Sequence, residues 1–398
     1  MLNKTKKVLF SFLILTFSTL SAFAQLPVGQ EKEEVKKDEH GRQIFDDKKE
    51  RKGVKYNLVP LPSYDPASKW GISLINLINY YPSKGDLKSP PSTSGAMANY
   101  TTNNSWMAGV FNKIYLKEDL WRLTAFGFYG AFNTEMYLST APGQEEAPMG
   151  LAKVTTNIAI GNFMVERKIF SRVYLGLGYQ YNGRLVEGRD SASQELLDKN
   201  HFGDEFEHMH GLRYALSYDT RDNVNYPYSG MIVKVSMDQM LGSDKQNIFL
   251  ADYRQFFTLG DNVSNVLAVH AFGRFISADA SRSFWSSYGR AGGIAQRGYE
   301  TGRYNDRNLV NMEVEYRKET PWLNSKLGFV AAVSTGKVFG SSKHSSGMSK
   351  DFKDAEWLPA VAAGVRYRLL PYERLNLKFD YAYGKTGSVF YFGITESF

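Results

Sequence analysis

The feature that most constrains this chain is an alternation of apolar and polar residues that begins at Val54 and recurs to the end of the sequence. The stretch RVYLGLGYQYN, residues 172–182, shows it clearly. Successive side chains of a strand point to opposite faces, so a period of two predicts β-strands with one apolar face. Here that face comprises Val173, Leu175, Leu177, Tyr179 and Tyr181.

Two later stretches, LVNMEVEYR and LNLKFDYAY, carry charges on the opposite face. No segment beyond the N-terminal region has the roughly 18 consecutive apolar residues that a spanning helix needs. Strands with one apolar and one charged face are typical of a transmembrane barrel with a wet lumen. The predicted lipid face includes Val310, Met312, Val314, Tyr316, Leu375, Leu377, Phe379, Tyr381 and Tyr383, and the predicted lumen face includes Asn311, Glu313, Glu315, Arg317, Asn376, Lys378 and Asp380.

The predicted fold class is therefore all-β, a transmembrane antiparallel β-barrel of about 16 strands, with short periplasmic turns and long external loops. An even strand number places both ends of the barrel on one side of the membrane. The Pro- and Ser-rich stretch 82–95 is an exception, because parity places this longer connection among the short turns. Strands are predicted at about 54–63, 70–80, 96–102, 105–115, 120–132, 153–168, 172–186, 207–221, 230–243, 247–259, 264–277, 308–320, 326–340, 356–370, 374–386 and 389–398, and the long loops at 133–152, 187–206, 278–307 and 341–355.

The N-terminus has the layout of a cleaved signal peptide. Lys4, Lys6 and Lys7 precede the apolar stretch VLFSFLILTF, and Ala22-Phe23-Ala24 precedes Gln25. Residues 1–24 are predicted to be the signal, 25–53 a charged flexible periplasmic tail with too few apolar residues to fold, and 54–398 the barrel domain.

Composition agrees with an exported barrel. Tyr 25, Phe 26 and Trp 6 make the chain 14% aromatic, which suits the girdles of a barrel, and the absence of Cys excludes disulfides and a lipid anchor at the mature N-terminus. The net charge of +7 is spread over turns, the signal and alternate strand positions. Outer-membrane lipid is the predicted partner, and no nucleic-acid partner is predicted.

Two internal stretches resemble the BamA/TamA family of outer-membrane barrels, also called the bacterial surface antigen family. LRYALSYDTRDNVNYPYSGMIVKVSMD resembles that family's strand, turn and strand in the middle of the barrel, and GGIAQRGYETGRYNDRNLVNMEVEYR resembles its long sixth external loop, whose R-G-F/Y motif folds back into the lumen. The matching residues are Asp219, Thr220, Arg221, Asp222, Pro227 and Gly230 in the turn, and Arg297, Gly298 and Tyr299 in the loop.

The closing YFGITESF, with Phe392, Ile394 and Phe398, is similar to the C-terminal signal by which outer-membrane strands are recognised during assembly. The resemblance covers roughly residues 54–398. It implies a role in outer-membrane protein assembly or translocation, with other envelope assembly proteins or lipoproteins as partners and no cofactor.

The resemblance further implies an acidic partner for Arg297 on the following strands. Ser334 stands where the family's Asp would stand, with Gly336 retained. Inward parity leaves Glu313, Glu315 and Asp380 as candidate partners, and Asp380 is favoured because KFDYA resembles the family's penultimate strand. Family insertases also carry POTRA domains, and the residues between Gln25 and the first strand are too few for one.

The sequence contains no G-x-S-x-G motif, and GKT at 384–386 lacks the earlier Gly of a P-loop. His208 and His210 with Asp204 or Glu207 could chelate a metal, but a solvated loop end is the better interpretation. His270 has no Ser and acid at motif spacing, so no enzyme activity is predicted.

Three functions stay open on the sequence. The first is an assembly or translocation barrel whose seam between the first and last strands receives a client strand. The second is an accessory structural or binding subunit without insertase activity of its own. A pore or lipolytic enzyme is the least supported.

Overall fold

The computed structural model describes residues 54–65, 69–83, 85–140, 149–200, 207–241, 245–260, 264–277, 285–289, 296–299, 303–340, 349–394 and 396–398. The predicted signal peptide and tail lie outside these residues. Within them, sixteen strands form one antiparallel sheet in sequence order, which confirms the predicted fold class and strand number.

The barrel strands pair each with the next, and two short strands form a separate ribbon between the eleventh and twelfth barrel strands. The barrel strands are β1 Lys55–Asp65, β2 Lys69–Tyr80, β3 Ser92–Thr101, β4 Trp106–Leu116, β5 Trp121–Ser139, β6 Met149–Phe170, β7 Val173–Gly188, β8 Glu207–Asp219, β9 Gly230–Leu241, β10 Asn247–Thr258, β11 Asn265–Ile276, β14 Asn308–Glu319, β15 Leu327–Phe339, β16 Ala360–Leu370, β17 Leu375–Gly384 and β18 Gly387–Ile394; the ribbon is β12 Ser286–Tyr288 and β13 Tyr304–Asp306.

The start of β1 and the end of β18 lie at one end of the barrel, called here the terminal end, and the opposite end is called the loop end. The alternation has the expected result, since Leu175 and Leu177 are more than half exposed on the outer face while Glu313, Glu315 and Arg317 are buried inside. Aromatic side chains, including Trp70, Tyr100 and Tyr253, are exposed on the barrel strands.

Several predicted boundaries were wrong. Much of the predicted loop 133–152 is strand, because β5 and β6 pair out to Ser139 and Met149. The predicted loop 187–206 contains helix α1, Ser191–Lys199, whose N-cap Asp190 accepts a hydrogen bond from the Ser193 backbone N–H at 2.8 Å. Helix α1 also buries Leu197 against β5, β6 and β7, which holds the helix on the barrel. Strand β3 starts at Ser92, within the Pro- and Ser-rich stretch predicted as a turn.

The turn between β14 and β15, α2 Trp322–Ser325, and the turn at residues 117–119 both pass through left-handed backbone without glycine. Residues 117–119 have φ values of 52°, 57° and 63°. Left-handed conformations cost L-residues roughly 1 to 2 kcal/mol each. Such turns therefore depend on contacts that hold them in place.

The first and last strands contact each other, but no ladder joins them within the described residues. The ladder between β17 and β18 ends where Leu377 pairs with Ile394, so the predicted strand to residue 398 stops four residues early. Leu375, predicted to face lipid, is buried in a cluster with Val59 of β1 and Leu77 of β2. The terminal ends of β17 and β18 thus lie against the inner face of β1. The last edge of the sheet therefore overlaps the first edge from the lumen side.

Candidate functional site

The centre of the lumen contains a buried cluster of charged side chains around Arg297. Its guanidinium Nη2 lies 2.6 Å from Glu313 Oε1 and also contacts Glu315, and its Nη1 lies 3.5 Å from Asp380 Oδ2. The structure therefore brings together all three carboxylates named from the sequence. Asp380, the favoured partner, is the most distant of them.

Ser334 stands directly opposite Glu313 in the register of β14 and β15. The carboxylate that the family resemblance placed at position 334 is thus supplied at the same level of the lumen by the neighbouring strand. Parity on β14 identified Glu313 as an inward residue, but the resemblance alone pointed elsewhere.

Glu315 connects Arg297 to two further arginines that sequence reasoning did not assign to the cluster. Its Oε1 accepts a hydrogen bond from Arg317 Nε at 2.7 Å, and its Oε2 lies 3.9 Å from Arg366 Nη2. Arg366 in turn contacts Asp380 at 2.5 Å and Glu396 at 2.6 Å. The alternation in GVRYRLL, where Arg366 and Arg368 fall on the inner face, was the signal that could have found Arg366.

The charges in this cluster nearly cancel. Arg297, Arg317 and Arg366 face the carboxylates of Glu313, Glu315, Asp380 and Glu396, with Lys378 close by. Burying a charge without a partner is costly, whereas opposite charges packed together with hydrogen bonds offset much of that cost. The cluster therefore fastens the loop that carries Arg297 to strands β14, β16 and β17.

Gly298 and Tyr299 position this loop inside the barrel. Gly298 has φ +85°, and a Cβ there would lie 2.9 Å from the Cβ of Ala360. Its backbone N–H donates to the Tyr391 hydroxyl at 3.0 Å. The Tyr299 hydroxyl donates to the Pro359 carbonyl at 2.6 Å, and its ring packs edge-on against Tyr288 with centroids 5.3 Å apart.

The retained Gly336 makes room for this aromatic packing. A Cβ at position 336 would lie 2.8 Å from the ring of Tyr288 and 2.4 Å from the Val310 carbonyl oxygen. The glycine is therefore explained by close approach rather than by an unusual backbone conformation.

At the terminal end, the connection between β8 and β9, called here the D-T-R-D turn after residues 219–222, crosses part of the lumen opening. Asp219 accepts hydrogen bonds from Arg122 Nη1 at 2.9 Å and from Arg221 Nε at 2.9 Å. Asp222 accepts from the backbone N–H groups of Tyr228 and Ser229 at 2.9 and 3.1 Å, which closes the turn on itself. The two acids of the motif thus have different tasks: one fastens the turn to β5, the other shapes it.

The remaining motif residues complete the turn. Thr220 Oγ1 accepts from the Met231 backbone N–H at 2.9 Å. Gly230 has φ +92°, and a Cβ there would lie 2.3 Å from the Thr220 carbonyl oxygen. Pro227 is buried and lines a lumen cavity of about 440 Å³.

The turn also reaches the opposite wall. Asp222 Oδ2 lies 2.5 Å from Arg374 Nη1, and Asn225 Nδ2 donates to the Glu373 carbonyl at 2.8 Å. The Tyr228 hydroxyl donates to Glu319 Oε1 at 2.9 Å and accepts from Arg368 Nη1 at 3.1 Å. The turn therefore spans from β8 and β9 to β14, β16 and the turn that precedes β17.

The three residues named from the closing sequence lie in different environments. The ring of Phe392 packs against that of Phe379 in a tilted arrangement, with centroids 4.9 Å apart and planes 52° apart. Ile394 packs against the apolar cluster of Val59, Leu77, Leu370 and Leu375, called here the seam cluster. Phe398 lies inside the lumen against Phe256 and Val266, and is 6% exposed.

The histidines do not form a metal site in the described part of the chain, where no group of three or more His, Asp or Glu side chains is placed to hold an ion. Glu207 and His208 are exposed at the start of β8, and Asp204 lies outside the described residues. His270 is buried, with Nε2 3.2 Å from Asp252 Oδ1 and its ring stacked on Phe398. Among the described residues, no helix is long and apolar enough to cross a membrane.

An antiparallel barrel with an apolar outer face and a lumen occupied by charged side chains and inward-folded segments defines an integral outer-membrane barrel protein. The Omp85 superfamily domain matches residues 95–398, and the chain belongs to the Omp85 superfamily. It is an integral protein of the bacterial outer membrane. No curated protein sequence matches the chain.

Many solved structures share this fold, and three of them are BamA and CdiB barrels. BamA from Haemophilus ducreyi lacking POTRA domains 1–3 is 14% identical with a TM-score of 0.53, and the match covers 86% of this chain and 69% of that one. CdiB from Acinetobacter baumannii is 13% identical with a TM-score of 0.58, covering 86% and 59%. CdiB from Escherichia coli is 10% identical with a TM-score of 0.56, covering 86% and 62%. The chain spans about three fifths of the length of the two CdiB structures.

Proposed function

We propose that this barrel takes part in outer-membrane protein assembly or translocation, with the seam between β1 and β18 as its working element. The observation that carries the proposal is the absence of a ladder between these two strands within the described residues, where every other neighbouring pair of barrel strands is hydrogen-bonded. The family and the likeness to BamA and CdiB barrels agree with this role.

The seam offers a free edge of the right kind. Strand β1 is paired with β2 at eleven positions, and no described strand uses the backbone groups of its other edge, which are C=O groups and, except at Pro60 and Pro62, N–H groups. A client strand added there would gain main-chain hydrogen bonds worth about 0.5 to 1.5 kcal/mol each. The lumen cluster agrees with the same role, because its ion pairs join the Arg297 loop to β14, β16 and β17 and do not involve β1.

A second candidate is an accessory subunit that has no insertase activity and binds other envelope assembly proteins or lipoproteins. The overlap of the two edges favours it, because Leu370 and Leu375 are buried against Val59 and close the seam from inside. The Lys55 ammonium also lies 3.2 Å from Glu373 Oε1 across the overlap. Neither candidate assigns a catalytic step to any residue.

Locking the seam separates the two candidates. The chain has no cysteine, so a cysteine at Val59 combined with one at Leu370 or Leu375 would create a single bridge across the overlap. In cells depleted of the wild-type protein, the assembly role predicts that the oxidised variant loses many other outer-membrane barrels and that a reductant restores them.

The matched control is a cysteine pair at Leu175 and Leu216, which already face each other across a ladder. That bridge should leave barrel abundance unchanged. If the abundance of other barrels is unchanged in the oxidised locked-seam variant, or in the depleted cells themselves, the assembly role is contradicted. If envelope partners also co-purify with that locked variant, the accessory role is supported.

A further inference from the structure

Residues 396–398, called here the inner segment, lie inside the lumen instead of extending β18. The ladder with β17 ends at Ile394, although β17 continues to Leu375 and offers further positions for pairing. Glu396, Ser397 and Phe398 are all buried. Leaving a ladder forfeits backbone hydrogen bonds, so other contacts must hold the segment.

Phe398 occupies a pocket shaped for an aromatic ring. Phe256, Val266 and Ala268 form its apolar wall. His270 stacks on the ring with centroids 4.8 Å apart and planes 23° apart. The Arg317 guanidinium lies 5.4 Å from the ring centroid, and its Nη2 donates to the Phe398 carbonyl at 3.0 Å. Apolar walls, a stacking partner and a nearby cation together favour an aromatic side chain.

The other two residues of the inner segment have specific partners as well. Glu396 accepts from Arg366 Nε at 2.6 Å and from Asn376 Nδ2 at 2.9 Å. Lys378 Nζ donates to the Ser397 hydroxyl at 3.1 Å. Through Arg366 the segment joins the same charged cluster that holds Arg297.

The position of the segment determines where β18 lies. Ile394 is only two residues before Glu396, and it packs in the seam cluster behind β1. Because the residues that follow it are fastened inside the lumen, the end of β18 lies behind β1 and not edge to edge with it at the barrel wall. The overlap at the seam and the contacts of the inner segment are therefore two parts of one arrangement.

We propose that the Phe398 pocket is an intramolecular docking site that holds the end of β18 behind β1, and that release of the inner segment lets β18 move out to meet the edge of β1. The pocket thus selects between an overlapped and an edge-to-edge seam. This goes beyond the assembly role and does not require a client strand.

The experiment measures the distance between β1 and β18 when the pocket is emptied. Spin labels on cysteines at Leu58 and Phe390, both exposed, report this distance by pulsed electron paramagnetic resonance. In the variant Phe398→Ala, the distribution should shift by about 5 Å, the spacing between neighbouring strands. An unshifted distribution in the folded Phe398→Ala barrel overturns the proposal.

Control variants separate docking from simple filling of the lumen. Phe398→Tyr keeps an aromatic ring and should keep the wild-type distance. Leu358→Ala removes a buried side chain elsewhere in the lumen and should lower heat resistance without moving the seam; a seam shift there would contradict the proposal. Labels at Leu175 and Leu216, on paired strands, should not move in any variant.

Glu396→Gln provides a second test if Phe398→Ala does not fold. It keeps the side-chain volume but removes the charge that Arg366 pairs with, so it should shift the seam distance in the same direction by a smaller amount. Wild-type distances in Glu396→Gln and Phe398→Ala alike would mean that the inner segment only fills space, and the docking site would be rejected.

Discussion

At the residue scale, the charged cluster in the lumen is centred on Glu315. This fully buried carboxylate contacts Arg297, Arg317 and Arg366. The charges of a buried carboxylate and its guanidinium partners compensate one another only when all of them are present. Removing one partner leaves a buried charge without compensation. We therefore expect Arg297, a loop residue, to have a large effect on the stability of the barrel.

Replacing Arg297 with Ala should destabilise the barrel by about 3 to 5 kcal/mol, the usual cost of breaking a buried ion pair. The temperature at which the folded band is lost in a semi-native gel should fall, and the loop should become accessible to protease. Arg303→Ala, at an exposed position of the same connection, is the matched control and should behave like wild type. Equal unfolding temperatures for the two variants would contradict the role of Arg297 in holding the loop inside the barrel.

Gly364→Ala tests the same cluster from the strand side. A Cβ at position 364 would lie 1.9 Å from Asp380 Oδ1 and 2.7 Å from the Phe379 carbonyl oxygen, so Asp380 would be displaced from Arg366. We expect a loss of about 1 to 3 kcal/mol from overpacking alone, measured by urea unfolding in micelles. Gly161→Ala, whose Cβ would be 3.9 Å from its nearest neighbour, should cost far less; equal losses would count against a steric cause.

At the element scale, the D-T-R-D turn shows how a short connection can act as an internal brace. It is joined to β5 through Asp219 and Arg122, and to the turn before β17 through Asp222 and Arg374. Two walls of the barrel that are distant in sequence are therefore connected at the terminal end.

Gly230→Ala should weaken this brace, because its Cβ would lie 2.3 Å from the Thr220 carbonyl oxygen in addition to the strain of φ +92°. Gly260→Ala is the matched control, since position 260 has φ +73° but nothing within 4 Å. Both variants carry the backbone strain, and only the first carries the clash. A lower unfolding temperature for Gly230→Ala than for Gly260→Ala is expected, and the reverse order would contradict the brace.

The connection between β2 and β3 is held by Asp86. Partial burial opposes ionisation, but hydrogen bonds from the Ser89 hydroxyl and from the backbone N–H groups of Ser89, Glu118 and Lys88 outweigh it and lower the pKa of the Asp86 carboxyl from 3.8 to about 2. The contact with Glu118 also holds the left-handed turn at residues 117–119 in place.

Because the pKa is lowered in the folded chain, the stabilisation by Asp86 is present above about pH 4 and is lost as the pH falls from about 4 to about 2. As the pH falls over this interval, hydrogen exchange of peptides that cover residues 82–91 and 117–120 should therefore accelerate in the wild-type protein and approach the rate of the same peptides in Asp86→Asn. Asp86→Asn should already exchange faster at pH 6. A constant difference between the two proteins across this range would contradict the assignment.

At the scale of the whole molecule, the lumen is obstructed by three segments from different parts of the chain. They are residues 296–299 from the loop end, the D-T-R-D turn from the terminal end, and the inner segment between them. Such an interior supports a barrel that works at its wall rather than an open pore.

Replacing residues 222–229 with Asn-Gly, a two-residue hairpin turn, should open the terminal end and raise ion conductance in planar bilayers roughly several-fold. The same replacement of the exposed turn Trp322–Ser325 is the control and should leave conductance low. If conductance does not rise in the first variant, the turn does not contribute to closing the lumen.

The strands of the barrel could be predicted from the sequence because alternation is a local property. Glu313, Glu315, Arg317 and Asp380 were assigned to the inner face by parity alone, and all are buried there. The family resemblance pointed to the loop arginine and to the turn. The resemblance was less useful for finding the partners of Arg297. Position 334, where the family has an acid, is Ser here, and the carboxylate comes from Glu313, which stands opposite Ser334 on the adjacent strand.

The sequence by itself thus determined the number of barrel strands and the face of most of their side chains, because both depend on residues two apart in an extended chain. Only the tertiary structure decided which inward residues meet across the lumen, that β17 and β18 pass behind β1, and that Phe398 leaves the ladder for a pocket on β10, β11 and β14. These outcomes depend on the relative heights and curvature of strands far apart in the sequence. No local pattern encodes them, because the energy of each contact exists only once both walls of the barrel are in place.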